Sequence, residues 1–221
     1  MPKFLIVAAT AFEIKGVMDH FKITAQQETG LFSSDNITAL ISGVGMVNTA
    51  YHMGRLSHHD FDFVINAGVC GAFNRRLHIG EIVTVVTDTI SELGAEDDQA
   101  FIKYPEMGLG GTHTYFPKTE KAGPLLSRLK PVNAITVNKV HGNDTSIQTT
   151  TALFNPDVES MEGAAFLRGC EDRVCDYFQL RAVSNYVEKR DKSKWNLPMA
   201  INNLNTFLIE LITNLNKSHS L

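Results

Sequence analysis

Residues 155–190 read NPDVESMEGAAFLRGCEDRVCDYFQLRAVSNYVEKR. Two elements stand in this stretch. Glu159-Ser160-Met161-Glu162 places two carboxylates ahead of the small, apolar run Gly163-Ala164-Ala165. Phe178-Gln179-Leu180-Arg181-Ala182-Val183-Ser184-Asn185 is a short strand-like run that ends in polar groups. The order is helix, turn, strand, then a polar residue at the carboxyl end of the strand. In open α/β sheets ligands bind outside that end.

Outward from this stretch, strands and helices alternate. Phe4 to Ala9 is a continuous apolar run, as expected of a strand covered on both faces, and Glu13 follows it. Ile37 to Ile41 predicts a strand running into Gly43-Val44-Gly45, with a helix from Val47 to Leu56. Phe63 to Gly71 predicts a third strand entering a glycine-rich turn, whose small residues let a ligand approach the backbone. Further strands are expected over Ile79–Val86 and Val132–Val137, and helices over Lys118–Leu129 and Thr145–Leu153. Residues 20–36 are polar and mixed, with a turn at Gly30. Leu204, Phe207, Leu208, Leu211, Ile212 and Leu215 fall on one face of a terminal helix. The chain is expected to fray from Lys217 onward. The pattern predicts a three-layer α/β/α sandwich around a central mixed sheet, with residues 1–221 forming one domain.

Composition narrows the function classes. Of 221 residues, 43% are hydrophobic and 20% charged, with a formal net charge of -4. Basic residues are scattered, so nucleic acid is not an expected partner. No apolar run is long enough to span a bilayer, and the short opening run is followed by Glu13 and Lys15, unlike a secretory signal. Three cysteines make no disulfide framework, and cytoplasm is the expected compartment. Cys70 reads as a small buried hydrophobe. The acidic residues between Thr87 and Asp98 have neither EF-hand nor compact metal spacing and are expected in a solvated loop. His113 has no His or Cys at motif spacing and reads as a surface or packing residue. No metal and no cofactor is expected.

Two features stay open on residues alone. Glu13 is either a solvated carboxylate favoured by a helix start or a functional group past a strand end. Gly43-Val44-Gly45 is either a structural tight turn or a place for an anion or hydroxyl-rich ligand. Asn48 stands where a dinucleotide loop has its third glycine.

Val158-Glu159-Ser160-Met161-Glu162-Gly163-Ala164-Ala165, Arg181-Ala182-Val183-Ser184-Asn185, Gly43-Val44-Gly45, Asn66-Ala67-Gly68-Val69-Cys70-Gly71 and the opening strand with Glu13 occur together and in order. In that order they resemble the purine nucleoside phosphorylase and nucleosidase superfamily across nearly the whole chain. The more specific resemblance is to its futalosine hydrolases, a family of the alternative menaquinone pathway in bacteria. It rests on Glu159–Ala165 together with Ser184–Arg190 and Trp195.

The resemblance implies a nucleoside phosphorylase-like fold, a small-molecule nucleoside substrate and a homo-oligomer. It implies Glu13, Glu162 and Asn185 as catalytic residues. It implies Gly43, Gly68, Val69, Met161, Glu162 and Asn185 as the residues that bind substrate. Glu162 would hold the ribose hydroxyls beside Met161, and Glu13 would activate water. Nucleosidases acting on methylthioadenosine and adenosylhomocysteine carry an Asp where this chain has Asn185, and phosphorylases an Arg where it has Asn66. Both departures favour hydrolysis with hypoxanthine as the leaving base. An adenine-releasing nucleosidase, a phosphorylase and a non-catalytic nucleoside binder are the competing readings. Arg181 is expected to brace Glu159 or another carboxylate, Trp195 and Tyr186 to wall the cavity or join the core, and Arg190 or Lys189 to meet a substrate carboxylate or face solvent.

Overall fold

Phe4 to Ala8 are without solvent exposure, as the unbroken apolar run requires of a strand covered on both faces. The computed structural model describes residues 1–218 (for Gln27, the backbone alone). In chain order its elements are β1 (Phe4–Ala8), α1 (Lys15–His20), β2 (Ala25–Glu28), β3 (Leu31–Ser34), β4 (Ile37–Ile41), α2 (Met46–Arg55), β5 (Phe63–Ala72) and β6 (Ile82–Ile90). There follow β7 (Gly94–Asp97), β8 (Ala100–Lys103), β9 (Thr114–Tyr115), α3 (Gly123–Leu126), β10 (Lys130–Thr136) and α4 (Asp144–Phe154). The chain ends with β11 (Val158–Ser160), α5 (Gly163–Arg168), β12 (Asp176–Tyr186) and α6 (Leu197–Ser218).

The sheet is mixed. β1 lies between β4 and β5 and parallel to both; β5 is parallel to β12, and β12 antiparallel to β6. β6, β10 and β11 continue in parallel. β11 then pairs back, antiparallel, with the end of β5: Val158 with Ala72 and Glu159 with Gly71. Strands β5, β12, β6, β10 and β11 thus close into a small barrel, while β4, β3 and β2 extend the sheet as an open wing. Closure leaves these five strands no free edge.

Three apolar cores follow from strand alternation. Phe4, Ile6, Phe63, Ile65 and Leu180 pack beneath α1 and the apolar stripe of α6. Leu5, Val7 and Val64 pack against Met53 of α2 and Phe166 of α5. Cys70, Ala72, Val83, Val85, Val132, Val158 and Val183 fill the barrel. Helices on both faces of the sheet make the three layers that alternation predicts.

Several elements differ from expectation. β5 runs on through Gly68–Gly71 to Ala72 instead of turning, because its end is paired on both sides, by β11 and β12. β6 starts later and continues to Ile90, so Asp88 lies inside a strand, fully buried, and not in a solvated loop. The helix expected over Lys118–Leu129 is reduced to one turn, opened by Gly123-Pro124, where proline is tolerated in the first turn because its missing N–H would have no partner within the helix. Polar residues 20–36 hold the edge hairpin of β2 and β3. Helix α6 includes Lys217 and Ser218; the fraying expected of residues 219–221 lies outside the described residues.

Helix α5 starts very close to the sheet. A Cβ at Gly163 would lie 2.0 Å from Asp88 Oδ2 and 2.4 Å from Gln179 Oε1. Gly54, inside α2, has nothing within 4 Å of such an atom. Gly163→Ala is therefore expected to cost about 1–3 kcal/mol, a fall of roughly 2–12 °C in melting temperature for a chain of this size. Gly54→Ala is expected to be neutral or to stabilise by up to about 1 kcal/mol. Differential scanning calorimetry of the two variants reads both signs.

Candidate active site

A cavity of ≈ 290 Å³ opens at the carboxyl ends of β1, β5, β11 and β12. Thr10 and Glu13 come from the segment after β1, Val69 and Gly71 from β5, Met161 and Glu162 from the turn after β11, and Asn185 from β12. Phe12, Trp195 and Ile201 of α6 cover it. Five of the expected residues, Glu13, Val69, Met161, Glu162 and Asn185, thus line this one cavity. Among the described residues the lining contains no Lys, Arg or His.

Glu13 is fixed at both carboxylate oxygens. Oε2 accepts from the Thr10 N–H at 2.9 Å and its hydroxyl at 3.1 Å, and Oε1 accepts from the Val69 N–H at 3.2 Å. Its backbone is held too: Asn205 of α6 donates Nδ2 to the Glu13 carbonyl and accepts the Val17 N–H. Burial pushes the Glu13 carboxyl above its ordinary range; the Val69 N–H and then the Arg181 charge pull against it. Asn205 escaped the sequence reading. Its signal is a buried polar residue within the apolar face of α6.

Glu162 is buried, and its Oε1 accepts from the Gly45 N–H at 2.9 Å. Gly43 and Gly45 have φ of 81° and 97°, so the turn needs glycine at both positions. Gly45 thereby presents its N–H to the carboxylate. Gly43 stands behind the cavity wall, packed on Asn48.

Asn185 is aimed by a β-bulge. Val183 pairs with Cys70 and Asn185 with Gly71, leaving Ser184 as the extra residue. Val183 points into the barrel, and strict alternation would send Asn185 there as well. The extra residue returns Asn185 to the side of Leu180 and Ala182, where the cavity lies. Its Nδ2 donates to the Tyr186 carbonyl at 2.9 Å and its Oδ1 accepts from the Ser184 hydroxyl at 2.8 Å. A carbonyl only accepts, so the amide orientation is determined and Nδ2 retains one hydrogen.

Behind this wall runs a buried polar chain. Arg181 donates Nη2 to Asn66 Oδ1 and, at 3.1 Å, to Gln179 Oε1; Gln179 Nε2 donates to Asp88 Oδ2 at 2.9 Å. Thr136 donates its hydroxyl to Asp88 Oδ1 at 2.7 Å and accepts the Ala164 N–H of α5. Gly68 was expected to approach the ligand. Instead its missing side chain admits the protein's own groups: a Cβ there would lie 2.5 Å from Arg181 Nη1 and 2.9 Å from Glu13 Oε1. Asn66 is buried, with its Nδ2 donated to the Val7 carbonyl. Arg181 does not brace Glu159, whose oxygens are held by His141.

The remaining candidates separate cleanly. Trp195 lines the cavity, with Arg190 stacked 5.0 Å over its ring. Tyr186 donates its hydroxyl to the Leu77 carbonyl and packs on the barrel core. Cys70 is buried, and burial pushes its thiol up to about 12. His113 is a packing residue beside Phe154.

The family model of the phosphorylase superfamily matches residues 3–213. A futalosine hydrolase of Acidothermus cellulolyticus is 29% identical over 213 residues, covering 91% of this chain and 87% of that one. A 5'-methylthioadenosine/S-adenosylhomocysteine nucleosidase of Bacillus pumilus is 24% identical, covering 85% and 87%. The native structure of a Helicobacter pylori futalosine hydrolase superposes with a TM-score of 0.82 at 16% identity, over 96% of this chain and 98% of that one. The fold is the one these proteins share.

Burial raises the Asp88 carboxyl to about 6. A raised acid binds its proton more tightly folded than unfolded, so its ionisation costs stability above that pH, and the cost is relieved as pH falls toward 4. Asp88→Asn removes this titration. Urea midpoints measured at pH 7 and pH 4.5 are expected to favour the wild type, relative to the variant, more at pH 4.5 than at pH 7.

Proposed function

The chain belongs to the phosphorylase superfamily, and on that footing we propose that it hydrolyses the N-glycosidic bond of futalosine, releasing hypoxanthine and dehypoxanthine futalosine in menaquinone biosynthesis. The observation that carries this reading is the pairing, across one cavity, of the part-buried carboxylate Glu13 with the amide of Asn185, on a wall without a cationic side chain among the described residues. The futalosine hydrolases among its relatives support the same choice.

Water is the nucleophile. Its oxygen attacks the anomeric carbon as Glu13 takes a proton; the carbon–N9 bond breaks and its electron pair leaves with the base. A carboxylate lifted above its ordinary range by burial suits proton acceptance near neutrality. Glu162, oriented by the Gly45 N–H, accepts from the ribose hydroxyls, with Met161 against the sugar. Its negative charge stabilises the cationic character of the ribose in the transition state. Asn185 uses its remaining Nδ2 hydrogen on the oxygen or N7 of the departing purine. Among the described residues a phosphate dianion finds no side-chain cation lining this cavity, and Asn66 spends its amide inside the protein. Val69 supplies backbone to the wall, while Gly43 and Gly68 serve by letting the loop and Glu13 take their places.

We read the whole chain as one such domain, acting in the cytoplasm as a homo-oligomer. Among the described residues no helix is long and apolar enough to cross a membrane. Val44, Val47 and Tyr51 are exposed on and just before α2, an apolar group of the kind subunits cover.

Base release from futalosine, inosine and methylthioadenosine, with and without phosphate, tests the reading. Hypoxanthine from futalosine, indifferent to phosphate, is expected. Adenine from methylthioadenosine at a comparable rate, a requirement for phosphate, or binding without turnover would each replace it. Glu13→Gln is expected to lower kcat by roughly 10²–10⁴-fold. Because the base must be ionised, the wild-type rate falls as pH drops through the raised Glu13 pKa. That acidic limb is expected above the ordinary carboxylate range and absent from the variant.

A further inference from the structure

Glu159 shares the cavity wall with Asn185 and has no part in the chemistry above. It is 4% exposed and lines the main cavity as well as the smaller one adjoining it. The two side chains meet at Gly71: a Cβ there would lie 3.3 Å from Asn185 Nδ2 and 3.6 Å from Glu159 Cγ. Glu159 is held rigidly from behind. Its Oε1 accepts the His141 N–H at 3.0 Å and its Oε2 meets His141 Nδ1 at 2.6 Å. His141 Nε2 lies 2.8 Å from the Thr150 hydroxyl. One neutral tautomer satisfies all three groups: Thr150 donates to Nε2, and Nδ1–H donates to Glu159. Two of the carboxylate's four or so lone-pair directions are then used.

We infer that Glu159 is the acceptor for the ring N1–H of the bound base, and that with Asn185 it selects 6-oxopurines over 6-aminopurines. This rests on the hydrolase reading for the orientation of the base toward Asn185. The wall offers an acceptor, the Glu159 carboxylate, next to a donor, the free Nδ2 hydrogen of Asn185. A 6-oxopurine presents the complement, a donor at N1 beside an acceptor at O6. A 6-aminopurine presents a lone pair at N1 beside amino hydrogens, so both contacts are reversed and a buried carboxylate faces a lone pair. Selection of this kind, by a polar site left unpaired with the wrong ligand, is the stronger kind of discrimination. His141 and Thr150 act as positioning residues, setting the direction of the carboxylate.

Calorimetric binding of the free bases hypoxanthine, adenine and 1-methylhypoxanthine tests this without turnover, beside hydrolysis rates for futalosine. The wild type is expected to bind hypoxanthine roughly 10–100-fold more tightly than either other base. Glu159→Gln, which can offer an amide N–H to N1, is expected to narrow the hypoxanthine-to-adenine ratio by about tenfold or more. Equal losses for both bases in that variant would mark Glu159 as a support for the His141 loop only and overturn the inference. So would wild-type protein that binds 1-methylhypoxanthine as well as hypoxanthine, a result that needs no variant. The expected binding pattern without hydrolysis would uphold the inference and sink the hydrolase reading; hydrolysis of futalosine with an unchanged base ratio in Glu159→Gln would do the reverse.

Discussion

A guanidinium buried in the sheet constrains everything around the cavity. Arg181 is 2% exposed, and a charge taken out of water has to be matched by acceptors or by opposite charge. Asn66 and Gln179 give it acceptors, Gln179 links it to Asp88, and Gly68 leaves room for it beside Glu13. These residues come from β5, β6 and β12, and Thr136 of β10 joins through Asp88. The arrangement ties four strands together through polar side chains. It also places positive charge behind Glu13 while keeping it off the cavity wall.

The same chain explains why two carboxylates of one site behave differently. Asp88 is fully enclosed and serves as an acceptor for Thr136 and Gln179. Glu13 reaches the cavity and is trimmed by backbone N–H groups and by Arg181. Burial lifts both, yet of the two only Glu13 lines the cavity. Position relative to the cavity wall, more than acid strength, separates the two.

Much of the frame was legible in the sequence. The unbroken apolar run of β1, the glycines at 43 and 45, and the carboxylate at 162 before a small-residue helix all carry local signals, and each stands where those signals place it; the start of β5 does too, though not its end. What escaped depends on partners distant in sequence. Asp88 looks like part of an acidic loop until Thr136 and Gln179, 48 and 91 residues away, are brought to it. The closing of the barrel rests on β11, three residues long, whose pairing with β5 no periodicity announces. Asn205 reads as an ordinary helix residue until Glu13 and Val17 are placed beside it. Glu159 was visible as a carboxylate, but the partner that holds it, His141, lies 18 residues upstream in a turn of its own.

The bulge at Ser184 means that the strand carries its cavity-facing residue out of phase with its core-facing ones. Before Ser184 it is Val183, an odd position, that belongs to the barrel core; beyond it Tyr186, an even one, packs there. Which side chain faces the cavity is thus encoded by a count of residues as well as by their identities. Exchanging one side chain for another at position 185 retunes the site, whereas losing one residue from this frame would send Asn185 into the barrel core and bring Tyr186 to the cavity in its place. A substitution at position 185 thus changes the group presented to the cavity, whereas a change of spacing changes which residue is presented.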